Sequence, residues 1–346
     1  MRPTLHISRA QFVHNIDVVR SRISPSALML VMKDDAYGHG IEWAVDAAVS
    51  AGVQWYGSYD VPSGLRIRAS LGDRAGRVFA WATSTSEEVE AALSARVDLG
   101  VGNVEYLALV VAAARRLNTT ARVHLKIDTG LHRNGIRPED WDSAIEIARA
   151  AERDGTVTVN GVWSHLAEAS DAEDDDAQSV FDEAVRKLRA AGSDPEVLHL
   201  TASAASWWRP ELRGSLSRIG AFCFGIRSAD GPDLDGVHPI SALSAPVLEV
   251  RGDRAIVGIG SFDGLPSTLA GMPVGTPAGA REMLRIGETA SEVTAWPGAA
   301  VGEDVWVLGP GAHGEASATT LAERLDTVGE EIITRLTSRV RRVMED

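Results

Sequence analysis

Eight short apolar or β-rich runs recur along the chain, at residues 27–31, 54–56, 77–81, 97–101, 121–127, 159–164, 197–200 and 217–219. Between them lie stretches with apolar residues at helical spacing, at 86–94, 104–117, 138–154, 174–191 and 202–208. Such an alternation leaves few topologies. Crossovers between parallel strands are right-handed, and eight of these units close into a (β/α)8 TIM-like barrel. An open doubly wound sheet is the alternative. The barrel is favoured by where the chemistry-bearing residues fall. Lys33, Lys126, His165, Ser203 and Arg218 each sit at or just after the C-terminal end of a predicted strand, and in a barrel those ends converge on one face. Ahead of the first of these runs, a strand at 4–7 leads to Ser8, an N-cap for a helix over 9–23 with Phe12, Ile16 and Val19 at helical spacing.

After Gly225 the pattern changes. Ser228-Ala229-Asp230-Gly231-Pro232-Asp233-Leu234-Asp235-Gly236 reads as an exposed linker. Beyond it come strand-like runs at 243–250 and 254–259 around a Gly252-Asp253 turn, and another at 305–308. Ser317 is placed to cap a helix over 318–325, and the basic stretch 328–343 is predicted helical. The expected division is therefore a barrel over 1–229 and a C-terminal mainly-β domain over 230–346.

Charge and cysteine usage narrow the function. A net charge of -14, from 34 basic and 48 acidic residues, opposes nonspecific nucleic-acid binding and an anionic membrane surface. An anionic ligand then needs a locally positive pocket. One cysteine, Cys223, excludes an internal disulfide framework and a multi-cysteine zinc site. The histidines lack metal-ligand spacing, so no catalytic metal is expected. No apolar run reaches the length of a membrane span, and a cytoplasmic protein is expected. Gly309-Pro310-Gly311-Ala312-His313-Gly314 fits G-x-G-x-x-G, but it lies among predicted strands with no helix opening after it, so no dinucleotide site is expected.

Four constellations carry chemistry. The run 27–31 delivers Lys33 into a polar turn, Lys33-Asp34-Asp35-Ala36-Tyr37-Gly38-His39-Gly40. A partly desolvated amine there loses its charge more readily and can form a Schiff base with a carbonyl cofactor. Tyr37 would lie near it if a helix opens at Ala36. In Lys126-Ile127-Asp128-Thr129-Gly130-Leu131-His132-Arg133-Asn134-Gly135, a sharp turn carries a guanidinium that can clamp a carboxylate or simply pair with an aspartate. His165 ends the sixth strand as a structural or a functional imidazole. Ser203, after the seventh, can cap a helix or face a phosphate. Ser217-Arg218-Ile219-Gly220-Ala221 closes the eighth with a rim arginine and small residues suited to a barrel's phosphate site.

The Lys33 motif resembles the cofactor-lysine motif of the alanine racemase family, and the other segments resemble that family's motifs in its order. The resemblance implies pyridoxal 5′-phosphate held by Lys33, Tyr37, His165, Ser203, Arg218, Gly220 and Ala221. It also implies that Lys126, often carbamylated in the family, orients Arg133 on the substrate carboxylate. Lys33 would be the catalytic base on one face of an amino acid condensed with the cofactor as an external aldimine. The family further implies a head-to-tail homodimer acting on a small amino acid or amine.

The chain also departs from the pattern. Ala202 stands where the family usually has asparagine, and Glu288-Thr289 where it has a methionine–aspartate pair. A family tyrosine near the phosphate falls near Ser338, and the family's Gly-Tyr-x-Asp-Gly becomes Gly260-Ser261-Phe262-Asp263-Gly264. The family's second base is a tyrosine of the partner's β domain. All four tyrosines here, Tyr37, Tyr56, Tyr59 and Tyr106, precede that domain, and Leu248 to Ile256 runs from strand to strand through a tight turn. The expectation is an alanine-racemase-like, PLP-dependent enzyme that is not an efficient alanine racemase. The rivals are a genuine racemase with another second base (Asp263, Cys223, His238 or His313) and a noncatalytic PLP-binding protein.

Overall fold

The computed structural model describes residues 2–346 and divides into two compact units. One comprises Val19–Lys33 and Ile41–Gly220. The other comprises the chain up to Val18, Asp34–Gly40 and Ala221–Asp346. The N-terminal strand and the turn after Lys33 thus belong with the C-terminal part of the chain.

In chain order the strands are β1 (Thr4–Ser8), β2 (Ala27–Val31), β3 (Trp55–Ser58), β4 (Arg77–Ala80), β5 (Val97–Val101), β6 (Ala121–Lys126), β7 (Val157–Trp163), β8 (Val197–His199), β9 (Leu216–Ile219), β10 (Ser241–Arg251), β11 (Arg254–Val257), β12 (Pro273–Val274), β13 (Arg281–Ile286), β14 (Ser291–Thr294), β15 (Asp304–Leu308) and β16 (Arg341–Glu345). The first unit is an eight-stranded parallel sheet in the order β8-β7-β6-β5-β4-β3-β2-β9. It is nearly closed. Between its end strands the Arg218 N–H donates to Thr201 O at 3.3 Å and the Leu198 N–H to Ser215 Oγ at 2.9 Å. Each strand matches a run read from the sequence to within a few residues.

Local sequence starts the helices between these strands. Asp60 accepts from Ser63 N, Thr85 and Glu88 form a reciprocal cap, and Asn103 accepts from Tyr106 N. Met29, Trp55, Phe79, Trp163, Val197 and Leu216 pack as a core, with Trp81 against it. Gly100 is required there, because a Cβ would lie 2.9 Å from Trp81 Cα.

The second unit is mainly β. Its sheet runs β12-β13-β14-β11-β10-β1-β16, with β15 also on β10. Thr4–Ser8 lies antiparallel to β10 and parallel to β16. The predicted helix over 328–343 is corrected: only Gly329–Thr334 is helical, and the chain then turns so that Arg341–Glu345 completes a ladder beside β1. That long-range pairing overrides local helical pattern. β10 and β11 form a tight hairpin, with Arg251 opposite Arg254 across Gly252 and Asp253. Gly252 takes φ +61 there, a conformation glycine adopts without steric cost.

Candidate active site

The turn after β2 is strained. Asp34, Asp35, Ala36 and Tyr37 have φ of 52, 55, 53 and 55°, followed by Gly38 at 77°. The expected right-handed helix from Ala36 is therefore replaced by a left-handed turn. For L-residues that conformation costs roughly 1–2 kcal/mol each, and runs of it occur where surrounding structure over-determines the backbone. Gly38 is fitted to its place, since a Cβ would meet Ile333 O at 3.0 Å. Lys33, half-buried, stands at the entry to this turn, and the Met32 N–H before it donates to Gly57 O at 2.8 Å.

Around the C-terminal ends of the barrel strands, four cations act on one imidazole. His165 is pushed down to about 3, first by burial and then by Arg218, Arg133, Lys126 and Lys33 in that order. Held neutral, its Nδ1 accepts from Arg218 Nη2 at 3.2 Å. Arg218 is buried and held by carbonyls. Nη1 donates to His199 O at 2.5 Å, and Nη2 to Ser164 O at 2.7 Å and Leu200 O at 3.1 Å. Burial lowers its pKa, Glu168 opposes that shift, and it remains cationic at neutral pH.

The Lys126 ammonium lies 4.7 Å from the Trp163 ring centroid and the Arg218 guanidinium 5.2 Å from it, so both cations share one indole. Burial, then Arg218 and Arg133, pull the Lys126 amine down to about 8. Next to it Asp128 shapes the loop, accepting from the N–H groups of Gly130 and His132 and from His132 Nδ1, at 3.1, 3.0 and 2.9 Å. That loop presents Arg133, which is exposed.

Ser203 is the first residue of the helix Ser203–Trp208, not its cap. Ala202 holds the N-cap position and makes no side-chain capping bond. Ser203 Oγ instead accepts from Gly220 N–H at 3.4 Å, which brings a hydroxyl and a rim amide together. The barrel unit therefore gathers Lys33, Lys126, Arg133, His165, Ser203, Arg218 and Gly220. Tyr37 and Ala221 belong to the other unit. There the phenol packs on Phe224, 5.0 Å between centroids; burial raises its pKa well above 10, and a bond to the Ala221 backbone opposes the rise.

The second-base candidates of the β unit have structural commitments. Cys223 is fully buried, and burial pushes its thiol far up. Asp263, 1% exposed, accepts from Gly260 N at 2.9 Å and Arg339 Nε at 2.8 Å. His313 stacks on Trp306 at 5.2 Å, and His238 has its backbone N–H and C=O bound by Asn15. In the G-x-G-x-x-G loop the buried Glu315 carboxylate accepts from Gly311 N and His313 N, both at 2.9 Å, so an internal anion already uses those amides. Ser261, Arg285, Gly287, Glu288 and Thr289 line a polar cleft of about 460 Å³. Among the described residues no helix is long and apolar enough to cross a membrane.

Sequence reading missed three groups of the barrel interior, Asp98, His124 and His199. A signal was present in the two-residue period of a strand: His124 precedes Lys126 by two, which places both on one face of β6.

Comparisons with known proteins bear on this constellation. Residues 7–228 match the family model for the alanine racemase N-terminal domain, and residues 245–344 the model for its C-terminal domain. A Thermobifida fusca (strain YX) alanine racemase is 34% identical over 359 residues, spanning 95% of this chain and 94% of that protein. A Mycolicibacterium smegmatis alanine racemase is 32% identical over 383 residues, with 99% and 96% covered. Among solved structures, the alanine racemase of Streptomyces coelicolor A3(2) superposes with a TM-score of 0.93 at 30% identity, covering 100% of this chain and 98% of that one.

Proposed function

Because the chain belongs to the alanine racemase family, whose enzymes use pyridoxal 5′-phosphate, we propose that it acts at Cα of a small amino acid with Lys33 as its one-face base, and that it is not an efficient alanine racemase. The observation that carries the reading is the cluster of Lys33, Lys126, Arg133 and Arg218 on His165 in a protein of net charge -14. Such a cluster suits a ligand with a phosphate and a carboxylate. The donor set fits the cofactor: an amine for its aldehyde, a hydroxyl and amide for its phosphate, and a guanidinium for its ring nitrogen.

When bound, the cofactor supplies an electron-withdrawing ring that stabilises negative charge at the substrate's Cα. The chain's own residues do the rest. Lys33 would hold the cofactor and move a proton at Cα on one face. Arg218 does not give up a proton and so holds the ring nitrogen unprotonated, which limits charge delocalisation. His165, kept neutral, would flank the ring. Ser203 and Gly220 would hold the phosphate end and Arg133, oriented by Lys126, the carboxylate; Tyr37 and Ala221 are cofactor residues by family resemblance. The functional division runs between 1–229 and 230–346, although the chain up to Val18 and Asp34–Gly40 fold with the β unit, and by family analogy the protein works as a homodimer.

Inversion needs a proton to leave one face and return to the other. The C-terminal stretch 230–346 has no tyrosine to serve the second face, and a positioned acid–base group contributes about 10²–10⁴-fold. A second reading, a genuine racemase with another second base, draws support from the names of the full-length relatives. Incubating L- and D-alanine separately in D₂O separates the two. The proposal expects deuterium incorporation with retention from at most one enantiomer. Rapid interconversion of both establishes the racemase reading instead, and no exchange with any amino acid points to a noncatalytic PLP-binding protein.

A further inference from the structure

A chain of polar groups runs through the barrel interior toward Arg218. Asp98 Oδ2 lies 3.4 Å from His124 Nε2, His124 Nδ1 2.8 Å from His199 Nε2, and His199 Nδ1 3.2 Å from Arg218 Nη1. Asp98, His124 and His199 are all fully buried. Phe79 packs on both imidazoles at 4.6 and 5.3 Å, and Trp163 stacks on His199 at 5.8 Å, so water does not compete for these bonds.

The sequence of donors and acceptors is forced. A carboxylate only accepts, so His124 must present Nε2–H to Asp98. A neutral imidazole then has only a lone pair at Nδ1, and it accepts from His199 Nε2–H. That leaves a lone pair on His199 Nδ1, facing a guanidinium that only donates. Burial keeps both imidazoles neutral, lowering His124 and taking His199 well below its ordinary range. The far end is anchored as well: Arg122 Nε donates to Asp98 Oδ1 at 2.5 Å and Arg77 Nη2 to Oδ2 at 3.2 Å.

We propose that Asp98 and His124 are positioning residues: they fix His199 as its Nε2–H tautomer, and His199 in turn holds Arg218 in the orientation that meets the cofactor's ring nitrogen. The last step rests on the reading that Arg218 faces that nitrogen. The tautomer assignment does not.

The test is long-range ¹H–¹⁵N spectroscopy of histidine-labelled protein, with the His199 signals identified by their loss in His199→Gln. In the wild type, His199 Nδ1 and His124 Nδ1 are expected as pyridine-type nitrogens and both Nε2 atoms as pyrrole-type. A protonated Nδ1 on His199 overturns the proposal without recourse to any variant. In Asp98→Asn, the single remaining oxygen stays with Arg122, the closer donor, the amide group faces His124, and Arg77 keeps only its bond to Glu196. Both imidazoles should then flip, turning His199 Nδ1–H against Arg218. Unflipped tautomers in folded Asp98→Asn overturn the proposal. Arg77→Gln keeps the carboxylate and should change stability while leaving both tautomers in place; a flip there means that barrel packing, not the carboxylate, sets them.

Reconstitution with ¹⁵N-labelled pyridoxal phosphate then reads the last step. The ring-nitrogen signal should move in Asp98→Asn and not in Arg77→Gln. Flipped tautomers with an unmoved ring nitrogen refute the Arg218 reading while the tautomer relay stands.

Discussion

In the barrel unit, the Arg218 guanidinium hydrogen-bonds, among the described residues, carbonyl oxygens and imidazole nitrogens only, and Lys126 lies over an indole. In the β unit the buried carboxylates are bonded to cations or to backbone amides. Asp263 takes Arg339, Glu323 takes Arg227, and Glu315 fills the amides of its own loop. A buried charge matched inside its own unit stabilises a turn or a tie between segments. In the barrel, Arg218, Arg133, Lys126 and Lys33 act together on one imidazole, and with burial they hold His165 far below its ordinary range. The proposed chemistry falls on the barrel side of this difference.

The largest expected effect tests that location. Lys33→Ala should abolish the visible absorption of the lysine-bound cofactor and any turnover, and borohydride treatment of the wild type should attach the cofactor to the peptide carrying Lys33. Cofactor trapped on a lysine of the β unit would invert the comparison. Next in size is Arg133→Ala, which should weaken amino-acid binding by about 2–5 kcal/mol if the ligand's carboxylate and Arg133 form a desolvated pair. Spectral titration of the cofactor with amino acids measures it. Unchanged affinity for every amino acid that binds removes Arg133 from the site and leaves the cluster a narrower role in phosphate binding.

The barrel's legibility had a physical basis. Its strands are short, apolar and evenly spaced, so β2 to β9 could be placed from pattern alone, and residues at their ends inherit a common face from topology. Lys33, Lys126, His165 and Arg218 were legible for that reason. The left-handed turn at Asp34 to Tyr37 was not, because aspartate takes positive φ as a single residue and nothing in these residue types calls for four such residues in succession. Nor was the parallel ladder of β1 with β16, where register joins Thr4 to Arg341 across nearly the whole chain. The Asp98–His124–His199 line needed three strands in their places before its donors and acceptors could be ordered.

The smallest expected effect concerns acid stability and should distinguish the units directly. His39 is fully buried in the β unit, with Nδ1 3.0 Å from Ala36 O, Nε2 3.1 Å from Ser241 Oγ, and its ring stacked on Phe224 at 5.3 Å. Burial lowers its pKa to about 4, with Arg342 acting in the same direction against the bond to Ala36. The unfolded value is about 6.5, so the unfolded state binds more protons between these limits. Stability is therefore full above pH 6.5 and falls as the pH drops toward 4, by about 3 kcal/mol at most from this residue. His39→Gln lowers stability at every pH but removes that part of the slope. Hydrogen exchange of the β10 amides between pH 4 and 6.5, corrected for intrinsic rates, should show the flattening. The barrel amides should keep their own acid sensitivity, because burial and its neighbouring cations push His165 down to about 3 and the substitution leaves them untouched. Equal flattening in both sets would mean that the two units unfold as one, and that buried charge in either region is answerable to the stability of the whole chain.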